Sequence, residues 1–160
     1  SSAVMQHLNW NSMDRTFYLL DTFGGLDSKY VSEGEKRSGY LERNKHALAS
    51  GYYVQGVDAV KRNFAEWRRV RIIQGAIPET LSEIDSNTIA YLHIDLNCSP
   101  PEVASLRILW DRLTPGAVVL LDDYAYAGFE ASKEGIDRFA GEKGIAVLGL
   151  PTGQGLIIRP

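Results

Sequence analysis

One stretch of the sequence reads Ala117-Val-Val-Leu-Leu-Asp-Asp-Tyr124, an apolar run that ends in two adjacent aspartates. A short run this apolar is typical of a strand buried on both faces, as in a parallel sheet. Other runs along the chain share this length and character: Thr16–Leu20, Val70–Ile73, Ile89–Ile94, Ile145–Leu148 and Gly155–Ile158. The sequence therefore predicts six strands, most of them in one parallel sheet.

Helical spacing of apolar residues is found between these runs, in segments 3–13, 54–67, 100–113 and 129–140. Strands that alternate with helices predict an α/β fold in which helices flank a mostly parallel sheet. Ser99, with prolines after it and Glu102 three residues on, predicts a capping box at the third helix. Only Pro151-Thr-Gly-Gln154 links the last two strands, which is too short for a crossover helix, so these strands should pair antiparallel.

The composition fits one domain, with 160 residues of which 44% are hydrophobic and 23% charged. A net charge of −3 and a pI near 5.6 argue against a nucleic-acid partner. No apolar run is long enough to span a membrane, and the N-terminus has no signal-peptide pattern. The single cysteine, Cys98, cannot form an internal disulfide and favours a cytoplasmic protein.

The stretch from Gly24 to Gly51 is long, polar and rich in charged residues. One interpretation is a solvated insertion with a short helix. The other is a lid or a partner-contacting segment, because long loops in compact domains are often functional.

Acidic side chains follow three of the predicted strands. Asp21 ends the first strand, Asp95 the third, and Asp122 with Asp123 the fourth. Ligands of open parallel sheets bind at the carboxyl ends of the strands, so we expect these residues at one edge. Asp21 suits a ribose diol, since one carboxylate accepts hydrogen bonds from two neighbouring hydroxyls; a turn or helix-capping aspartate is the alternative.

Three carboxylates, Asp95, Asp122 and Asp123, would repel one another unless a cation neutralised them. Hard oxygen ligands of this type suit Mg²⁺. A turn followed by a capped helix is the alternative for the Asp122–Asp123 pair. His93 shares a strand face with Asp95 and could act as a general base, or it is a packed core or cofactor-contacting histidine.

A cysteine and two tyrosines also lie near these strand ends in the sequence. Cys98 has no activating base beside it in sequence and is expected to be a small buried residue. Tyr124 and Tyr126 either line a substrate pocket or pack in the core.

Four motifs in this order resemble the class I S-adenosylmethionine (SAM) dependent methyltransferases of the macrocin O-methyltransferase type: Leu19-Leu-Asp-Thr-Phe-Gly-Gly25, Ile73-Gln-Gly-Ala-Ile-Pro-Glu-Thr-Leu81, Leu92-His-Ile-Asp-Leu96 and Leu113-Thr-Pro-Gly-Ala-Val-Val-Leu-Leu-Asp-Asp-Tyr124. The resemblance covers most of the chain from Thr16 onward. It implies a Rossmann-like three-layer α/β fold whose mostly parallel sheet carries a C-terminal antiparallel hairpin strand. It also implies metal-assisted O-methylation of a small-molecule hydroxyl.

The resemblance assigns roles to individual residues. Contacts to SAM would come from Asp21, Thr22, Phe23, Gln74, Gly75, Ala76 and His93. The metal ligands, for Mg²⁺ or a similar divalent cation, would be Asp95, Asp122 and Asp123. His93 falls where this family has an aspartate suggested as the base, so the identity of the base stays open.

One departure from the family lies at the N-terminus. The family opens with a strand and a glycine-rich loop that holds SAM, and neither precedes Asp21 here. Ala3–Met13 resembles the helix that follows that loop. We therefore expect an N-terminally incomplete fold, either a truncated enzyme or a noncatalytic domain that has lost SAM binding. The missing strand would be central, so exposed apolar edges should favour association with a second copy.

A different class, the phosphoacceptor receiver domain, is also an α/β fold with an acidic pair and Mg²⁺. Its acidic pair follows the first strand and a lysine ends the fifth. Here the pair comes late and no predicted strand ends in lysine, which argues against this class.

Overall fold

The computed structural model describes all of residues 1–160. Its strands are β1 (Phe17–Asp21), β2 (Val70–Gln74), β3 (Ile89–Ile94), β4 (Leu113–Leu121), β5 (Leu148–Gly149) and β6 (Gly155–Ile158). Its α-helices are α1 (Ser2–His7), α2 (Glu33–Arg37), α3 (Tyr40–Ala49), α4 (Val57–Asn63), α5 (Ser99–Leu109) and α6 (Glu130–Lys143). Short 3-10 turns cover Trp10–Ser12, Glu79–Glu83 and Trp110–Arg112. No helix has the length and apolar character needed to cross a membrane.

The strands form two sheets, and this corrects the expectation of one mostly parallel sheet. One sheet pairs β1 with β2 in parallel, and the other has the order β3-β4-β6-β5. The parallel β3–β4 pair and the antiparallel β5–β6 hairpin were both predicted and are confirmed. The hairpin turns back through β6 onto β4, so half of the strand pairs are antiparallel. Association with a second copy stays a prediction.

The chain divides into two compact units, although one domain was expected from its length, and that expectation stays a prediction. The first unit comprises residues 1–25 and 43–84 and contains β1, β2 and α4. Met5, Trp10 and Ile73 are among its buried apolar residues, and the Trp10 and Phe17 rings meet edge to face. The predicted first helix stops at His7, because Asn9 takes a left-handed backbone conformation that a continuous helix cannot contain.

The second unit comprises residues 26–42 and 85–160. Alternate β4 residues (Ala117, Val119 and Leu121) are buried in its core, as the two-residue period of a strand requires. Helices α5 and α6 pack against each other, and Leu106, Ile136 and Phe139 from these helices complete the same core.

The polar stretch 24–51 is partly built into the fold. It contains α2 and α3, and its residues Val31, Glu35 and Tyr40 are buried. Ser32 and Glu35 form a capping box, in which the Ser32 N–H donates to Glu35 Oε2 over 2.9 Å. The predicted box at Ser99 is wrong: α5 begins at Ser99 itself, and the Ser99 N–H donates to Glu35 Oε1 over 2.7 Å. A carboxylate 64 residues away thus stabilises the start of α5; the lid interpretation stays a prediction.

Replacing Ser32 by alanine is expected to lower the free energy of unfolding by about 1 to 2 kcal/mol. The substitution removes the hydroxyl that accepts from the Glu35 N–H and donates to Glu35 Oε2, and the buried carboxylate loses one of its donors. Urea unfolding measures the change. Ser50→Ala is the control, since its exposed hydroxyl contacts only the carbonyl of Ala47, and a loss as large as that of Ser32→Ala would contradict the role of the capping box.

Candidate methyl-transfer site

The end of β1 forms a tight turn around Asp21. Asp21 Oδ1 accepts from the Phe23 N–H over 2.7 Å and from the Thr22 hydroxyl over 3.3 Å. Phe23 has a positive φ of 52°, and the carboxylate stabilises this turn. The turn role named as the alternative for Asp21 is therefore present. Its role toward a ribose stays a prediction, and the side chain is exposed.

The predicted cofactor residues at the end of β2 lie against that turn. The Gly75 N–H donates to the Asp21 carbonyl over 2.9 Å, and Gln74 Nε2 donates to the Thr22 carbonyl over 3.3 Å. Position 75 has no room for a side chain, because a Cβ there would lie 2.5 Å from Thr80 Cγ2. Asp21, Thr22, Phe23, Gln74, Gly75 and Ala76 thus form one continuous edge of the first unit.

The second unit brings together the ends of β3 and β4. The Asp122 N–H donates to the Ile94 carbonyl over 2.9 Å, so the two strands stay paired up to the acidic residues. One ligand atom each from His93, Asp95 and Asp122 lies within 4.8 Å of the other two. Asp123 is outside this closest group but faces the charges of both Asp95 and Asp122. Asp95 and Asp122 are therefore close together as expected, with His93 beside them. Asp21 ends a strand of the other sheet, which corrects the expectation of a single acidic edge, and the metal-ligand role of the acids stays a prediction.

The Asp123 carboxylate is partly buried beside the other acids. Its Oδ2 is buried without a hydrogen-bond partner. Burial, and then the negative charges of Asp95 and Asp122, raise the pKa of Asp123 to about 6. An unpartnered carboxylate oxygen beside two other carboxylates is a donor set that fits a hard divalent cation.

His93 lies at the centre of this group and is partly exposed, so the alternative of a packed core histidine is wrong. His93 Nε2 is 3.4 Å from Asp122 Oδ1. A carboxylate at this distance orients an imidazole ring. The arrangement is chemically suited to accepting a proton.

Two buried acids near the Asp95, Asp122 and Asp123 carboxylates were not identified from the sequence. Glu102 on α5 is 3% exposed, and Glu35 on α2 is 2% exposed. Burial, with additional repulsion from Asp123, Glu35 and Asp95, raises the pKa of Glu102 to about 8, so this side chain holds a proton at neutral pH. The local sequence around Glu102 and Glu35 does not indicate burial, because each side chain is buried by residues distant in sequence.

Two polar side chains that donate hydrogen bonds to Asp95 and Asp122 were also not identified from the sequence. Asn97 Nδ2 donates to Asp95 Oδ1 over 3.1 Å, and Gln154 Nε2 donates to Asp122 Oδ1 over 2.8 Å. Gln154 had a recognisable signal. It ends the short turn of the predicted hairpin, and pairing of that hairpin with β4 places it beside Asp122.

The other candidates from the sequence, a cysteine and two tyrosines, differ in burial. Cys98 is 3% exposed and burial raises its pKa to about 12, which confirms the expectation of an unreactive buried residue. Tyr124 is buried, and its hydroxyl donates to Asp137 Oδ1 over 2.5 Å. Tyr126 is 61% exposed, so it is no core residue, and its pocket-lining role stays a prediction.

The fold is that of an O-methyltransferase. The chain matches the solved structure of the O-methyltransferase NovP with a TM-score of 0.79 at 21% identity, over 98% of this chain and 64% of that one. The crystal structure of the calicheamicin methyltransferase CalS11 matches with a TM-score of 0.65 at 18% identity, over 98% of this chain and 65% of that one. The sequence pattern of the macrocin O-methyltransferase (TylF) family matches residues 2–147, and the chain belongs to this family.

Curated relatives of the chain are methyltransferases from Streptomyces. The demethyldecarbamoylnovobiocin O-methyltransferase of Streptomyces niveus is 28% identical over 139 residues, which are 83% of this chain and 50% of that protein. An 8-demethyl-8-(2,3-dimethoxy-alpha-L-rhamnosyl)-tetracenomycin-C 4'-O-methyltransferase of Streptomyces olivaceus is 26% identical over 136 residues, 82% of this chain and 49% of that protein. The chain thus spans about half the length of the curated relatives it matches.

Proposed function

We propose that the chain takes part in SAM-dependent methylation of a hydroxyl on a small molecule, assisted by a divalent cation. The observation that supports this most directly is the meeting of His93, Asp95 and Asp122 at paired strand ends, in a chain of an O-methyltransferase family. The donor substrate would supply a methyl group made electrophilic by its sulfonium. The acceptor would supply the attacking oxygen.

Within the first unit, cofactor contacts are assigned to the edge formed by the ends of β1 and β2. Asp21 would accept hydrogen bonds from the ribose hydroxyls, with its neighbours Thr22 and Phe23 shaping the turn. Gln74, Gly75 and Ala76 would lie near the adenine. Glycine is required at position 75 because the Thr80 methyl group occupies the place of a Cβ.

Asp95, Asp122 and Asp123 would hold Mg²⁺ or a similar divalent cation. When bound, such an ion lowers the pKa of a coordinated hydroxyl. His93 would accept the proton of the acceptor hydroxyl, and Asp122 would stabilise the resulting imidazolium across the 3.4 Å contact. Holding the acceptor oxygen in line with the methyl group supplies a further part of the acceleration.

Thermal unfolding with ligands tests this proposal. SAM and Mg²⁺ at 100 times their dissociation constants should each add about 2.7 kcal/mol to the free energy of unfolding, because a ligand that binds only the folded chain stabilises it. Asp21→Asn should weaken the SAM effect alone, and Asp95→Asn the Mg²⁺ effect alone. No gain from SAM would overturn the proposal and favour the alternative of a noncatalytic domain that has lost SAM binding.

Replacing His93 by glutamine is expected to lower kcat by about 100-fold, because the group that accepts the proton is lost while a polar side chain of similar reach remains. Transfer of a labelled methyl group from SAM to a panel of sugar and phenol acceptors measures the rate. SAM affinity, measured by calorimetry on the same variant, reports separately on the cofactor contact implied for His93. A kcat within a few fold of the unchanged chain would contradict the role of His93 as base and leave an aspartate as the candidate.

A further inference from the structure

The turn between β5 and β6 is fixed against the residues that follow β4. The Ala125 N–H donates to the Gly153 carbonyl over 2.7 Å. Gly155 lies against the Tyr124 ring, where a Cβ would come within 2.7 Å of the ring carbon Cγ. The hairpin turn and the Asp122–Asp123 pair are therefore held at a fixed distance by backbone and ring contacts.

From this position in the turn, the Gln154 side chain forms a hydrogen bond with Asp122. Its Nε2 donates to Asp122 Oδ1 over 2.8 Å, and its Oε1 accepts from the Thr152 hydroxyl over 3.0 Å. The Thr152 contact determines which end of the amide faces the carboxylate, because the hydroxyl donates to the carbonyl end and leaves the NH₂ end for Asp122. Asp122 Oδ1 thus lies between Gln154 and His93.

We propose that Gln154 is a positioning residue that holds the Asp122 carboxylate beside Asp95 and His93 in the arrangement a divalent cation needs. This inference rests on the proposed function. An amide is suited to this task because it donates a hydrogen bond without a charge. A lysine or arginine there would neutralise Asp122 and compete with the cation, whereas with no donor the carboxylate would move away from the like charges of Asp95 and Asp123.

Binding of Mn²⁺, followed by electron paramagnetic resonance of the free ion, tests the inference on the whole chain. Gln154→Met keeps the length of the side chain and removes the donor, and it should weaken Mn²⁺ binding about tenfold or more. Thr152→Val leaves the amide free to rotate and should weaken binding by a smaller factor. Gln55→Met is the matched control, since Gln55 donates only to the Leu48 carbonyl, and it should leave Mn²⁺ binding unchanged.

Combination with Asp122→Asn separates positioning from a general structural effect. On that background, Gln154→Met should add little further loss of Mn²⁺ affinity, because the charged ligand that Gln154 positions is gone even though the asparagine oxygen can still accept its hydrogen bond. Unchanged Mn²⁺ affinity in Gln154→Met, with loss in Asp122→Asn, would overturn the positioning role and leave the proposed function standing. Equal and negligible Mn²⁺ binding by the unchanged chain and by Asp122→Asn would overturn the metal-assisted function and the positioning role with it.

Discussion

Methyl transfer by the Asp122→Asn variant is expected to be about 1,000-fold slower, or slower still, than by the unchanged chain. Asp122 is the residue on which the site converges: it contacts His93 and Gln154 and faces the charges of Asp95 and Asp123. In the proposed mechanism, an amide in its place could not supply the negative charge needed by the cation and by the protonated His93. Loss of a stabilising effect of several kcal/mol on developing charge corresponds to a factor of this size.

The same substitution is expected to leave the ligand-free chain folded, with a free energy of unfolding that is equal or up to about 1 kcal/mol higher. It removes one of three neighbouring negative charges, and unit charges about 4 Å apart in water repel by about this amount. The asparagine oxygen can still accept from Gln154. Lost stability and lost activity are therefore separable for this residue.

Methyl-transfer assays and urea unfolding on the same preparations measure the two effects. Asp111→Asn is the matched control, because Asp111 is exposed and lies outside the acidic group. Asp111→Asn should change neither the rate of methyl transfer nor the free energy of unfolding appreciably. Activity of Asp122→Asn within tenfold of the unchanged chain would contradict the central role of Asp122, and a large loss of stability would show that Asp122 is a structural residue.

The sequence alone predicted those strands and turns whose patterns depend on neighbouring residues along the chain. The strands β3 and β4 were predicted because apolar runs of that length bury on both faces, and their pairing brings Asp95 and Asp122 to adjacent ends. The antiparallel hairpin was predicted because four residues cannot hold a crossover helix. The α/β class of the fold followed from these elements.

Residues buried by distant contacts could not be predicted in this way. The capping box was expected at Ser99 because local spacing fits the motif, but Glu35 occupies that N-terminus and the true box lies at Ser32. Glu102 was read as a capping residue, whereas α5 buries it beneath the carboxylates. Local propensity does not register such burial, because it is decided when elements pack.

Gln154 is an intermediate case. The turn that contains it was predicted, and so was the strand end that carries Asp122. Only the order β3-β4-β6-β5, in which β6 pairs directly with β4, connects the two. Side chains at hairpin turns beside strand ends of this kind are therefore worth testing in any chain where such a hairpin is expected.

Replacing Glu102 by glutamine is expected to stabilise the chain, and to do so increasingly as the pH rises. The folded chain holds the Glu102 proton up to a pKa of about 8, while the unfolded chain releases it near the ordinary value of 4.5. Between these two values the folded state binds more protons, so the contribution of Glu102 makes the free energy of unfolding fall as the pH rises. At about 1.4 kcal/mol for each pH unit, the full destabilisation is at most about 5 kcal/mol, reached above pH 8.

Urea unfolding of both chains at pH 4, 7 and 9 measures this difference. Glutamine keeps the size and hydrogen-bonding capacity of the protonated acid, so the two chains should be nearly equal at pH 4 and furthest apart at pH 9. Glu134→Gln on α6 is the control, since Glu134 is exposed and its substitution should produce no comparable trend with pH. Because the buried acid faces Asp95 and Asp123, a cation bound beside those residues should favour its ionised form and narrow the difference at pH 9. A stability difference that is independent of pH would show that Glu102 is ionised at neutral pH and that its burial is compensated by contacts.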